Sequence, residues 1–301
     1  MTIRTAVDRF LSSPRCANPN TRRAYASVLD RVAERLGAHR QLAGVSGDRL
    51  AAVLEELWGA AMPATWNRNR AAVAAFLMWC ARNSIAAPAL PASAERRREH
   101  VDETKALSRA EIERLLTRRD VPLREKTLWR MLYETAARAS EILALDVENL
   151  DLDARRAAVV SKGGTVEYVY WASGTARLLP RLIAGRTRGP LFLSERRPGS
   201  ARRPPAKDLC PTTGRARLGY DRARVLLDQY TSPGDGRPGW DLHQLRHSAA
   251  THLGEQQIGL GLLMAKTRHR NPRTAMRYLK PGAEAVTEVT ALLDIAPPRQ
   301  G

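Results

Sequence analysis

The sequence predicts a mainly α protein built as an N-terminal four-helix domain and a mixed, mostly helical second domain with a small antiparallel sheet. Three observations predict it. Apolar residues recur at helical spacing through the first 83 residues. A stretch of proline, small residues and charge then interrupts the pattern. Beyond it, one pair of strand-like runs flanks a Gly-Gly turn among further helical segments. The expected organisation is a helical domain over 1–85, a linker over 86–105 and a second domain over 106–301.

A weak leading helix is expected around Val7–Leu11. Asn18-Pro19 supplies an N-cap followed by proline at the first helical position, and Tyr25, Val28, Leu29, Val32 and Leu36 continue at helical spacing until Gly37. A third helix carries Leu50, Val53, Leu54 and Leu57. A fourth, after Pro63, places Val73, Phe76, Leu77 and Cys80 on one face, and its opening turns carry Arg68 and Arg70 beside Asn67 and Asn69. Ala86–Ser93 and the charged run Glu95–Glu99 have no apolar periodicity, which predicts a tether.

Ser108-Arg109-Ala110-Glu111 is a capping box that opens the next helix. Ala157–Val160 and Val166–Trp171 read as a hairpin across Ser161-Lys162-Gly163-Gly164. Residues 195–217, rich in Arg, Pro and Gly, read as an irregular loop, and helical spacing resumes around Tyr220–Tyr230.

Composition narrows the partners. A net charge of +18 favours a polyanion, and the basic surplus occurs on both sides of residue 100, as suits a protein that wraps DNA. A solvated basic surface is the plainer alternative. The three cysteines, Cys16, Cys80 and Cys210, are widely spaced and offer neither a zinc signature nor a disulfide framework. No apolar run approaches the ~20 residues of a membrane span, and the N-terminus has no signal-peptide core. A cytoplasmic, nucleoid-associated protein without a cofactor is expected.

Four short patterns carry chemistry. Thr135-Ala136-Ala137-Arg138-Ala139-Ser140-Glu141 places an arginine between two helical runs with an acid three residues on. Such a pair also serves surface helices. Lys162 is one of only six lysines and stands at the hairpin tip. A titratable ammonium donates a proton more readily than a guanidinium, although turn lysines are also ordinary. His243 and Arg246 are three apart, so on a helix they share a face and can grip one phosphate. His269 and Tyr278 flank an Asn271-Pro272 turn that folds the tyrosine toward the histidine.

Together these elements resemble the tyrosine recombinase (phage integrase) family, with Arg246 to His269 spanning 23 residues and His269 to Tyr278 nine. The resemblance covers both domains. It implies a site-specific DNA recombinase or integrase, acting on double-stranded DNA with paired core sites as a homotetramer, without a metal. It implies Tyr278 as the nucleophile that forms a 3′-phosphotyrosyl link. Arg138 and Arg246 would bind the non-bridging oxygens, and Lys162 would protonate the 5′-oxygen. His243 and His269 would hydrogen-bond the phosphate, His243 also helping to take the tyrosine proton, and Glu141 would orient its basic neighbours. Arg68, Arg70, Arg222 and Arg224 are the DNA-contact candidates.

Two positions depart from the family's pattern, which has glycine where this chain has Ala136 and Arg268. The first is expected to alter packing, the second to add a cation beside the active site. His247 and His252 match no catalytic position and read as structural or surface residues. After Pro281-Gly282, Val286, Val289, Leu292 and Leu293 suggest a helix that docks on a neighbouring subunit or packs on its own core. A catalytically silent DNA-binding accessory protein of the same fold is the alternative to the recombinase, and a single-subunit type IB topoisomerase a third reading.

Overall fold

The computed structural model describes residues 1–99, 106–161, 164–199 and 203–279, together with Thr287 and Thr290. The chain divides into two compact units, 1–101 and 102–301. The mostly helical architecture with one small antiparallel sheet agrees with the fold class expected from sequence.

The first unit contains α1 (Ile3–Leu11), α2 (Pro19–Leu36), α3 (Gly47–Trp58) and α4 (Pro63–Arg82). Asn18 Oδ1 accepts from the backbone N–H groups of Asn20 and Thr21, so the predicted cap starts α2. Gly37 ends it with φ +88°, a conformation that favours glycine. The apolar stripes meet in one core around Phe10, whose ring is met edge-on by Tyr25, Phe76 and Trp79 at 5.2, 5.6 and 5.6 Å. Cys16 and Cys80 are buried, free thiols in this core.

The stretch expected as a tether is, over its described part, fastened to this unit. Ala94 is buried. Trp66 Nε1 donates to Glu95 O at 2.7 Å. The buried Asn67 amide donates to Arg97 O at 2.8 Å and accepts from Arg97 N at 2.9 Å. The Arg97 guanidinium lies 4.0 Å from the Trp66 ring centroid. Polar groups of α4 supply these contacts, which is why the segment shows no apolar period. Arg70 Nε donates to Ala94 O, whereas Arg68 is exposed beside a groove lined by Asn20, Arg23 and Tyr25.

The second unit contains α5 (Arg109–Thr117), α6 (Leu123–Thr135), α7 (Ala139–Leu143), β1 (Leu150–Asp151), β2 (Arg156–Val160), β3 (Val166–Tyr170), α8 (Ser173–Ile183), α9 (Tyr220–Thr231), α10 (Leu242–Glu255), α11 (Leu260–Thr267) and α12 (Pro272–Met276). The Ser108–Glu111 capping box forms as predicted. The sheet has order β1-β2-β3 and is antiparallel throughout, with Ala157 opposite Val169 and Val160 opposite Val166. The two-residue β1 is too short to announce itself in sequence. Helix α6 is the central element: Leu128, Trp129, Met131 and Leu132 are fully enclosed with Ile142, Leu179, Phe192 and Leu245.

The segment expected as an irregular loop contains little regular structure but is pinned by one side chain. Arg217 bonds Asp146 and Asp208, each at 2.7 Å, and donates to the carbonyls of Leu143 and Leu145. Among the described residues no helix is long and apolar enough to cross a membrane. The expected helix carrying Val286, Val289, Leu292 and Leu293 lies outside the described residues.

Candidate active site

Three segments of the second unit bring the site together. The first is the α6–α7 junction, where Ala136 turns the chain with φ +49° and Arg138 stands at the N-cap of α7. Glu141, one turn on, accepts from Arg138 N at 2.9 Å and from Arg138 Nη1 at 2.7 Å. Arg138 itself remains partly open, with 41% of its side chain exposed, so its guanidinium is oriented yet still reachable.

The second contribution is α10, started by a capping box between Asp241 and Gln244. Arg246 is 3% exposed and its guanidinium is fixed on three sides. Nη1 donates to Ala136 O at 2.5 Å, while Nη2 donates to Thr267 O at 2.7 Å and faces His269 Nε2 at 3.2 Å. Burial, then the neighbouring Arg138 and Arg268 charges, push its pKa down to about 10, which leaves it protonated at neutral pH.

The third is the α11–α12 turn. Thr267 Oγ1 donates to Leu263 O at 2.6 Å, so its lone pairs accept from His269 Nδ1 at 2.7 Å. That assigns the proton of His269 to Nδ1 and leaves Nε2 as an acceptor for Arg246. Burial, followed by the Arg246, Arg138 and Arg277 charges, pushes the His269 pKa down to about 4, so the ring is neutral. His243 is exposed at the surface, yet partial desolvation, then the Arg246 charge, holds it below the ordinary histidine range.

Asn271 caps α12 and Pro272 takes its first position, returning the chain so that Tyr278 lies against α10. Tyr278 is 8% exposed. Its ring stacks on His269 at 5.8 Å and 24°, and Arg277 lies 5.8 Å from its centroid. Its hydroxyl is 3.2 Å from His247 Nδ1. The imidazole within 3.2 Å of this hydroxyl belongs to His247, whereas the resemblance implies His243 as the residue that helps to take the phenol proton. His247, read from sequence as structural or surface, holds that place. The available signal was its position four residues after His243 on one helical face. His252 is structural: it is buried, with Nδ1 2.8 Å from the Tyr133 hydroxyl.

Arg268 is the cation expected beside the active site, and it is turned inward. It is buried, with φ +54°, and its Nη2 donates to Glu141 Oε2 at 2.6 Å. Its charge is spent on the carboxylate that holds Arg138. Burial alone would raise the Glu141 pKa, but the Arg268 charge and the Arg138 hydrogen bonds outweigh it and hold the carboxyl below its ordinary value. Both positions where glycine was expected, 136 and 268, have left-handed backbone.

Lys162 lies outside the described residues. Its flanks do not: Arg270 Nη2 donates to Ser161 Oγ at 3.0 Å and Thr165 Oγ1 at 3.1 Å, and Lys266 Nζ donates to Tyr170 O at 2.7 Å. The α11–α12 turn is thus tied to both strands of the hairpin. Arg222 and Arg224 are exposed on α9, Arg222 lying 3.6 Å from Glu195. Among the described residues no cluster of three or more His, Cys, Asp and Glu side chains is placed to hold a metal ion.

The model of the phage integrase family matches residues 105–284, and that of the phage integrase N-terminal SAM-like domain matches residues 7–84. The tyrosine recombinase XerC of Mycobacterium bovis (strain BCG / Pasteur 1173P2) is 30% identical over 307 residues, covering 97% of each chain. XerD of Mycobacterium leprae is 31% identical over 177 residues, covering 58% of this chain and 54% of its own. Among solved structures, a Tn1549 transposon integrase in complex with circular intermediate DNA superposes with TM-score 0.75 at 13% identity, covering 98% of this chain and 100% of the other. A lambda integrase dimer bound to a core site superposes with TM-score 0.69 at 15% identity, covering 93% and 77%. These two structures share the fold.

Proposed function

Because the chain belongs to the phage integrase family of tyrosine recombinases, we propose that it is a site-specific DNA recombinase that cuts and rejoins double-stranded DNA through Tyr278. The observation that carries the reading is the phenol of Tyr278 held between His247 and His269, with Arg246 bonded to His269.

In this reading Tyr278 Oη attacks the scissile phosphorus as its proton passes to His243, the acceptor that the resemblance implies. The new P–O bond forms as the bond to the 5′-oxygen breaks, leaving a 3′-phosphotyrosyl link and a free 5′-hydroxyl. Lys162 supplies the proton taken up by the leaving oxygen. Arg138 and Arg246 bind the non-bridging oxygens and offset the charge of the pentavalent transition state, the kind of fixed electrostatic stabilisation that is often the largest catalytic contribution. Two features support these roles: Arg246 is immobilised by backbone carbonyls, and Arg138 is aimed by Glu141. His243 and His269 hydrogen-bond the phosphate; His269 does so with a proton on Nε2, which the incoming anion favours by drawing Arg246 off that nitrogen and stabilising the imidazolium. One phosphodiester is exchanged for another, so rejoining is the same step reversed and needs neither ATP nor water. The arginines provide the positive charge in place of a metal ion.

The partner is double-stranded DNA with paired core sites, held by a homotetramer, and the protein works with the nucleoid in the cytoplasm. Arg68, Arg70, Arg222 and Arg224 contact the duplex in this reading, Arg68 and Arg224 being exposed.

The test uses a duplex that the protein itself enriches from a random-sequence library, nicked just beyond the cleavage point so that the cut strand diffuses away. Wild type accumulates a covalent protein–DNA complex on this duplex, and Tyr278→Phe binds it without forming one. A wild-type protein that binds and never becomes covalent is instead a silent accessory protein. Relaxation of supercoiled plasmid without any preferred site marks a topoisomerase.

A further inference from the structure

Helix α10 presents more to Tyr278 than the His243-x-x-Arg246 pair. His247, Ala250 and Gly254 follow one another at helical spacing on one face. Ala250 is 1% exposed and packs in a small cluster with Leu263, Ala275 and Tyr278. At one end of this face, His247 Nδ1 meets the Tyr278 hydroxyl at 3.2 Å, with the two rings edge-on at 5.2 Å and 61°. At the other end, two helical turns away, Gly254 meets the tyrosine's backbone.

The approach at Gly254 is the closest among the described glycines. A Cβ built there would lie 1.8 Å from Tyr278 O and 2.7 Å from its carbonyl carbon. The obstacle is main chain, which cannot swing aside as a side-chain end can. Even alanine at 254 therefore drives the Tyr278 backbone off α10, and with it the phenol. Gly254 has no need of a left-handed backbone, since it lies within the helix. Helix-interior glycine costs about 1 kcal/mol relative to alanine, and close approach is the reason it is tolerated here.

We propose that His247 and Gly254 are positioning residues for the nucleophile: Gly254 sets how deeply the tyrosine segment seats on α10, and His247 aims its hydroxyl. The proposal rests on Tyr278 being the nucleophile. Its chemical content is geometric. A displacement of roughly 1 Å at a reacting atom costs about 100-fold in rate.

The test separates binding from chemistry in the full-length protein, on the nicked duplex enriched as above. Gly254→Ala keeps wild-type affinity and forms the covalent complex about 100-fold more slowly. His247→Phe, which keeps the ring and loses the polar atom, slows covalent complex formation about tenfold, about one hydrogen bond's worth. His247→Asn, whose amide reaches the place of Nδ1, restores most of that loss. Wild-type rates in Gly254→Ala or His247→Phe, or an Asn variant no faster than Phe, overturn the proposal.

A second measurement needs no DNA. With 3-fluorotyrosine encoded at position 278, the ¹⁹F resonance of the free protein shifts in Gly254→Ala and in His247→Phe relative to the wild-type background. An unchanged resonance overturns the seating whatever the fate of the DNA assay. Failure of Tyr278 as nucleophile is read separately, as a covalent complex that persists in Tyr278→Phe or never forms in wild type.

Discussion

Arg268 reaches Glu141 from the protein interior, Nη2 to Oε2 at 2.6 Å, with only 4% and 6% of the two side chains exposed. On its other oxygen the same carboxylate holds Arg138, the partly exposed guanidinium of the site, at 2.7 Å. A buried carboxylate with two arginines is stable only as a set, because removal of one cation leaves charge uncompensated in a poorly solvated place.

Replacing Arg268 with Met therefore destabilises the second unit by about 2–4 kcal/mol, somewhat less than loss of a sole buried partner because Arg138 remains. Urea unfolding at pH 7 measures it. The pH dependence has a fixed sign. The folded Glu141 pKa is below its unfolded value, so its contribution is present above the unfolded pKa and is lost as pH falls through the folded one. The deficit of Arg268→Met accordingly narrows in acid, and Glu141→Gln removes this carboxyl's part of the acid slope.

Ala136, with φ +49°, gives a contrasting prediction. Left-handed backbone costs a residue with a Cβ roughly 1–2 kcal/mol, while glycine's greater freedom in the unfolded chain offsets part of the gain. Ala136→Gly raises stability by up to ~1 kcal/mol, and Ala136→Val lowers it. At position 268 glycine relieves the same backbone cost but removes the bond to Glu141, so Arg268→Gly is destabilising. Chemical denaturation of the three variants distinguishes backbone from charge.

His269 supplies a pH prediction. Its folded pKa, about 4, lies below the ordinary value of about 6.5. Between these values the unfolded chain binds more protons than the folded one, so stability rises with pH across that window and falls as acid is added. In DNA-free protein the ring stays neutral, protonated at Nδ1, down to about pH 5, as ¹⁵N-edited spectra of the imidazole nitrogens will show. In His269→Asn the denaturation midpoint varies less between pH 7 and pH 5.

Arg246 is tied to Ala136 O and Thr267 O, so its replacement has two effects. Arg246→Lys keeps a charge but cannot hold both carbonyls and a phosphate at once. Covalent complex formation falls by about 100–1000-fold, the usual cost of losing a fixed transition-state donor, and the salt dependence of DNA binding hardly changes. Quench-flow trapping and titrations at several salt concentrations separate the two.

Much of this architecture is legible in the sequence because it rests on local rules. Asn18-Pro19 starts α2, Ser108 with Glu111 starts α5, and apolar stripes mark the core faces of α2 to α4. The neighbourhood of Arg138, Arg246, His269 and Tyr278 is implied by the family resemblance that their order and spacing carry. What escaped depends on contacts distant in sequence. Nothing local says that Arg268 turns inward to Glu141, 127 residues away, or that Asn67 on α4 anchors Arg97. His247 was visible as a neighbour of Arg246, but its role depends on where α12 returns Tyr278. Gly254 carries no local signal, because what requires it is the Tyr278 carbonyl, 24 residues on.

Every role proposed above depends on Tyr278 taking the 3′-phosphoryl group of the cut strand. The most direct test is tandem mass spectrometry of the covalent complex trapped on the nicked duplex, after digestion of protein and DNA. The expected product is a nucleotide 3′-phosphate carried on the Tyr278 side chain. A nucleotide carried on any other residue, or attached through its 5′-phosphate, contradicts it.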